Sequence, residues 1–227
     1  MKVLGIDTST AAGSAAVAVD GTILGEFYIE SSMTHSVKFM PMMSELLRTL
    51  GMDIREMDGV AVTVGPGSFT GLRIGLAHAK AICHALNIPI AGVNTLDALA
   101  YNAASMGDVV CPMLDARNEQ VYAAVYEKGR RTSDYMGIGI YELMNELKGR
   151  RAVILGDGAR KYGDILAEDL PDAATAPSNL MMPRASSAAL IGGKRLAEGD
   201  ADDLYGIVPF YMRKPQAERL RDNSKGS

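Results

Sequence analysis

Asp7 closes the apolar run "KVLGID" and leads into three hydroxyl residues, Thr8, Ser9 and Thr10. An acidic group followed by hydroxyls at a strand end either fixes a turn or faces the phosphates of a nucleotide. The second candidate is "GPGSFTGLR", which separates a β-branched run from an apolar pattern of helical period. Gly65, Gly67 and Gly71 keep the backbone uncovered there, and Ser68 or Thr70 can cap the helix. Free amides at a helix start attract anions. The stretch nevertheless misses the phosphate templates: Leu72 and Arg73 stand where GxxxxGK[ST] needs lysine and a hydroxyl, and Thr70 replaces the third glycine of GxGxxG. A residual anion loop and a tight packing turn both fit these residues, with the turn ahead.

Other chemistry is sparse. The three histidines are His35, His78 and His84, and the last two lie six residues apart, on opposite sides of one helix rather than at ligand spacing. Ser9, Ser14 and Ser68 have no accompanying His/Asp pattern for nucleophilic catalysis. Cys83 and Cys111 sit in apolar surroundings without CxxC spacing, which reads as two reduced, buried thiols.

The elements that must position these groups follow from period and punctuation. "KVLGIDTS", "GSAAVAVDG" and "TILGEFYIES" read as three strands, the last two joined by the turn pair Asp20-Gly21. Helical spacing runs from His35 to Leu50 and stops at Gly51. "GVAVTVG" is a strand, "TGLRIGLAHAKAICHAL" a helix closed by Asn87, "PIAGV" a strand, and a helix covers Leu96 to Ala104. The pattern then restarts near Asp108. A shift of 108 carries Asp7 onto Asp115, Ala15-Ala16-Val17 onto Ala123-Ala124-Val125, and Gly21 onto Gly129. A helix at Tyr141–Lys148, the strand "AVILG", a "GDGA" turn and two further helices complete the second copy.

Two copies of strand–Asp–turn–strand resemble the actin and sugar-kinase superfamily, and the resemblance implies an α/β fold of two actin-like (ASKHA, ribonuclease-H-like) lobes, each beginning with a β-hairpin. The lobes are expected over 1–107 and 108–218, with a disordered tail over 219–227. In kinases of that class aspartates at the positions of Asp7 and Asp115 orient magnesium or water. The plain role of both is to fix the hairpin turns, and Asp115 fits it best.

The chain has 227 residues, a net charge of −4, 48% hydrophobic residues and 22% charged residues, which suits a globular protein with a sizeable core. A stand-alone nucleic-acid binder would usually be basic. The small basic groups Lys148/Arg150/Arg151 and Arg213/Lys214 fit a solvated surface better than an RNA contact. No stretch has the length of a membrane span or a signal peptide, so cytoplasm is expected.

The segments "LGIDTST", "TVGPGSFTGLRIGLAHAKAI", "IPIAGVNTLDALA", "LDARNEQVYAAVY" and "VPFYMRKP" occur in that order over almost the whole chain. Together they resemble the TsaB (YeaZ) family. The resemblance implies a relative of TsaD, the subunit that places threonylcarbamoyl on an adenosine of certain tRNAs. TsaD-like proteins carry a His-x-x-x-His metal pair where this chain reads "VNTLDAL". Thr95 and Leu99 occupy those two positions, and leucine donates to no metal. No metal is therefore expected, no cofactor is required, and any nucleotide binding at Asp7, Thr8, Ser9, Thr10 and the glycine loop would be weak and residual. The implied role is a non-catalytic scaffold that pairs with TsaD, helps recruit TsaE, reaches tRNA through that complex, and homodimerises when alone. An actin-like phosphotransferase or ATPase is the alternative, with a peptidase behind it.

The helix "HSVKFMPMMSELLRTL" carries more apolar positions than one core-facing stripe needs. Phe39, Met43, Leu46 and Leu50 form a stripe, and Val37, Met40 and Leu47 widen it. With Leu72, Arg73, Leu76 and Lys80 of the next helix, these residues are expected to form the partner interface. Methionine suits such adaptable surfaces.

Overall fold

The computed structural model describes residues 1–30 and 35–212, with the side chains of residues 35–37 excepted. The expected interface residue Val37, the pair Arg213/Lys214 and the tail 219–227 lie outside the described residues or side chains. Two sheets of equivalent topology form the scaffold. The first runs in the order β3-β2-β1-β4-β5 and the second β10-β7-β6-β11-β12.

In the first sheet, β1 (Lys2–Asp7), β2 (Ala12–Val19) and β3 (Thr22–Glu30) form an antiparallel meander, and β4 (Gly59–Gly65) and β5 (Ile90–Asn94) add in parallel. Asp20 and Gly21 both have left-handed backbone angles, φ 49° and 77°, which matches the right-handed twist of the strands they join. Helix α1 (His35–Leu50) follows the meander, and α2 (Phe69–Leu86) connects β4 to β5. Ser68 caps α2 at its start and Asn87, at φ 53°, ends it. Helix α3 (Thr95–Asn102) leaves β5 directly, capped by Asn94.

The second sheet repeats the plan. It contains β6 (Val109–Asp115), β7 (Gln120–Ala123), β8 (Tyr126–Glu127), β9 (Arg130–Arg131), β10 (Met136–Gly139), β11 (Ala152–Leu155) and β12 (Ala174–Thr175). Lys128 and Gly129 have φ 49° and 75°, reproducing the Asp20-Gly21 turn 108 residues later. The duplication inferred from the sequence is thus visible in backbone geometry. The strand expected after Asp115 is interrupted, since Ala124 and Val125 separate β7 from β8. Helices α4 (Ile140–Leu147), α5 (Asp157–Lys161), α6 (Gly163–Asp169) and α7 (Ala185–Ala197) complete the chain. The expected "GDGA" turn is helical, because its glycine allows α5 to press against the carbonyl of Met113.

Two helices cross the boundary that the sequence places between residues 107 and 108. Leu96, Leu99, Ala100 and Ala103 of the α3 region belong to the second lobe's core, with Val110, Leu114 and Leu143. Helix α7 returns to the first sheet, where Ala188 and Ala189 pack with Val3, Ala61 and Val93. Glycine makes that approach close: a Cβ on Gly192 would sit 2.5 Å from Cβ of Ala61, and one on Gly5 only 2.2 Å from the carbonyl oxygen of Ala185. The hydroxyl of Ser14 and the carboxylate of Glu26 accept the first amides of α7, from Ala185 at 2.8 Å and Ser186 at 3.0 Å. The lobes are therefore laced together by exchanged helices.

Candidate functional site

The C-terminal ends of β1 and β4 bring the two sequence candidates into contact. The hydroxyl of Thr8 donates to the carbonyl of Gly71 at 2.7 Å, and the amide of Ser68 donates to the carbonyl of Ser9, also at 2.7 Å. Within the turn, the Asp7 carboxylate accepts the Ser9 hydroxyl at 2.9 Å, and Thr10 accepts the amide of Ala12 at 3.2 Å. Asp7, Thr8, Ser9 and Thr10 are all buried.

The glycines serve this contact. A Cβ on Gly71 would lie 2.0 Å from the carbonyl oxygen of Thr8, and one on Gly75 would lie 2.3 Å from its hydroxyl. The hydroxyl of Ser68 accepts the amide of Gly71 at 3.2 Å, which occupies another donor of the helix start. Ser68 and Thr70 are exposed, while Gly65 and Gly71 are buried and Gly67 half-buried. Two of the amides that could cradle a phosphate, those of Ser68 and Gly71, are thus taken by the Ser9 carbonyl and the Ser68 cap. In the second lobe Asp115 accepts the Arg117 amide at 3.0 Å and the Lys161 ammonium at 2.9 Å. It fixes its turn, as expected.

Thr95 and Leu99, at the two positions where the resemblance implies a metal pair in TsaD-like proteins, are wholly buried. Among the described residues no group of three or more His, Cys, Asp or Glu side chains could share a metal. Asp97, between them, instead accepts the hydroxyls of Tyr126 and of Tyr135, the latter at 2.7 Å. Sequence reading missed these partners because they lie 29 and 38 residues away and no short motif links them.

The expected partner surface needs correction. Phe39, Met43, Leu46 and Leu47 are buried with Leu4, Val17, Val60 and Leu76 in the first lobe's own core, and Leu50 packs against it. Leu72 is buried as well. A stripe of apolar residues looks the same whether it meets a sheet or another subunit, and here the sheet takes it. The outward face is narrower: Met40 and Pro41 on α1, and Phe69, Ala77 and Ala81 on α2. Arg73 is exposed, but its guanidinium lies 3.7 Å over the Phe69 ring and donates to the Tyr211 hydroxyl at 3.0 Å. Lys80 donates to the carbonyl of Tyr205 at 3.1 Å.

Those contacts hold a C-terminal strap against α2. Asp202 bonds to Ile90 and Gly92 at the edge of β5, and the amide of Phe210 donates to the carbonyl of Val64 at 2.7 Å. The strap leaves Tyr205, Val208 and Phe210 exposed beside the α2 face. The sequence signal for it was "VPFYMRKP", a segment carrying family resemblance but no periodicity.

Residues 29–219 match the family model for TsaD, tRNA N6-adenosine threonylcarbamoyltransferase. The chain is 31% identical to a protein of Bacillus subtilis named tRNA threonylcarbamoyladenosine biosynthesis protein TsaB, with 96% of each chain covered. It is 30% identical to the Escherichia coli protein of the same name, with 94% of this chain and 95% of that one covered. Among solved structures, YeaZ from Pseudomonas aeruginosa superposes with a TM-score of 0.77 at 26% identity, covering 93% of this chain and 99% of that one.

Proposed function

The chain belongs to the TsaB (YeaZ) family, whose curated members carry the name of tRNA threonylcarbamoyladenosine biosynthesis, and from that premise we propose that it acts as a non-catalytic subunit of the machinery making this modification. In this reading it docks a TsaD-type threonylcarbamoyltransferase in the cytoplasm, helps recruit the TsaE ATPase, and reaches tRNA only through the assembled complex. Chemistry stays on the TsaD-type subunit, and this chain requires no cofactor of its own.

The observation that carries the reading is the closure of the glycine loop on the Thr8–Ser9 turn. A phosphate drawing on the Ser68 and Gly71 amides would have to displace the Ser68–Ser9 bond and the Ser68 cap, and Gly71 is packed against Thr8. Buried Thr95 and Leu99 support it, since a hydroxyl and an isobutyl group cannot replace two imidazoles. The outward faces of α1 and α2, with Met40, Phe69 and two alanines, support a role in docking. Large side chains there leave apolar area in water, and the alanines permit close approach of another helix.

Reconstitution tests the reading. Purified TsaD-type and TsaE proteins, tRNA and the threonylcarbamoyl donor should yield modified adenosine only when this chain is added. The chain alone should show no ATP turnover. Turnover by the isolated chain that disappears in Asp7→Ala would replace the reading with the phosphotransferase alternative.

A further inference from the structure

A cavity of about 360 Å³ opens between α3, α7, β6 and the β8–β9 hairpin, away from the glycine loop. Its volume lies within the range of small-molecule sites, about 300–1,000 Å³. Ala100, Val110 and Ile191 make an apolar wall. Against that wall stand two opposite charges, Asp97 and Arg131. Among the described residues neither belongs to an ion pair. Asp97 accepts only the neutral hydroxyls of Tyr126 and Tyr135, and the Arg131 guanidinium donates to the carbonyl of Ser133.

Tyr135 touches both charges. Its hydroxyl holds Asp97 at 2.7 Å, while its ring carries the Arg131 guanidinium at 4.1 Å from the centroid. Carboxylate and guanidinium thus meet the same tyrosine without forming an ion pair with each other, and both line one cavity. Burial and the neighbouring carboxylate push both tyrosine hydroxyls well above their ordinary pKa, so they remain donors to Asp97 at any physiological pH. An ionised carboxylate offers about four lone-pair sites, so two remain after the tyrosines. Guanidinium has five N–H donors, most of them uncommitted here.

We infer that this cavity binds a free α-amino acid with an apolar side chain. Asp97 takes the ammonium, Arg131 the carboxylate, and the Ala100, Val110 and Ile191 wall the side chain. A simple amine would leave the guanidinium unmatched, and a simple carboxylic acid would leave Asp97 unmatched. The zwitterion answers both. The inference is independent of the docking role, because binding is a property of the isolated chain.

Calorimetric titration of the purified full chain with L-leucine, L-isoleucine and L-methionine is the test. At least one should bind at one per chain with a dissociation constant of about 1 mM or tighter. 3-Methylbutylamine and 4-methylpentanoate, which lack one charged end of leucine, should each bind at least tenfold more weakly. Asp97→Asn and Arg131→Gln, checked for native circular dichroism, should each lose at least tenfold in affinity. Arg131 is exposed, so its variant keeps the test sound should Asp97→Asn fail to fold. Absence of binding by all three amino acids overturns the inference. So does equal affinity for the amine or the acid, or unchanged affinity in folded Arg131→Gln.

Discussion

The amide of Ser68 donates to the carbonyl of Ser9 at 2.7 Å, joining the glycine loop of one strand end to the hydroxyl turn of its neighbour. In an open phosphate loop the Ser68 amide would face the anion. Here amide and carbonyl satisfy each other, and Gly71 brings the first turn of α2 onto Thr8. Replacing Gly71 by alanine would set a methyl 2.0 Å from a backbone oxygen that cannot rotate away. Gly71→Ala should cost about 1–3 kcal/mol, the usual range for overpacking. A lowered urea midpoint with an unchanged slope is the expected reading.

Buried and exposed apolar residues on α1 separate by mutation. Leu46 is 1% exposed and Met40 41%, although both are apolar residues of the same helix. Leu46→Ala should lose about 2–5 kcal/mol, as for other buried leucines. Met40→Ala should stay within about 0.5 kcal/mol of the native protein. Thermal unfolding of the two variants checks this.

Acid should weaken one bond between the lobes. Arg160 of α5 bonds Glu30 of β3, and this hydrogen bond holds the Glu30 carboxyl below its ordinary value of 4.5. The unfolded chain therefore takes up the proton first. The pair's contribution is present above about pH 4.5 and is lost as pH falls through the lower folded-state value. The stability difference between the native protein and Glu30→Gln, measured by urea unfolding, should be small near pH 6, because the pair is solvated, and should shrink as the pH falls below about 4.5.

Both thiols should be inert in the folded chain. Burial pushes Cys83 and Cys111 up to about 12, leaving almost no thiolate at neutral pH. A disulfide exchange reagent at pH 8 should release no colour until denaturant is added, and then two equivalents per chain, one for each cysteine.

The elements of the first lobe were readable because each carries local punctuation. Asp20-Gly21 marks the hairpin, Gly51 the end of α1, and Ser68 and Asn87 the ends of α2. The duplication was readable for the same reason, since Lys128-Gly129 repeats the first hairpin turn. Exchange of α3 and α7 between lobes was not, because an amphipathic helix records that it has a buried face but not which sheet buries it. The partner surface was over-read on α1 by the same ambiguity: Phe39, Met43, Leu46 and Leu47 answer to Leu4 and Val60. The Asp97 cavity was invisible, as the tyrosines that hold Asp97 come from β8 and from the residue before β10, 29 and 38 positions away.

Docking of a TsaD-type protein through the outward face of α1 and α2 is the central proposal. Its most direct test is capture of the cell's own TsaD-type protein by the purified chain and by the double variant Met40→Asp/Ala77→Glu. Both positions are exposed, so the variant should keep native ellipticity and melting temperature. The native chain should capture the partner in a one-to-one complex, and the folded variant should capture none. Undiminished capture by the folded variant would contradict the account.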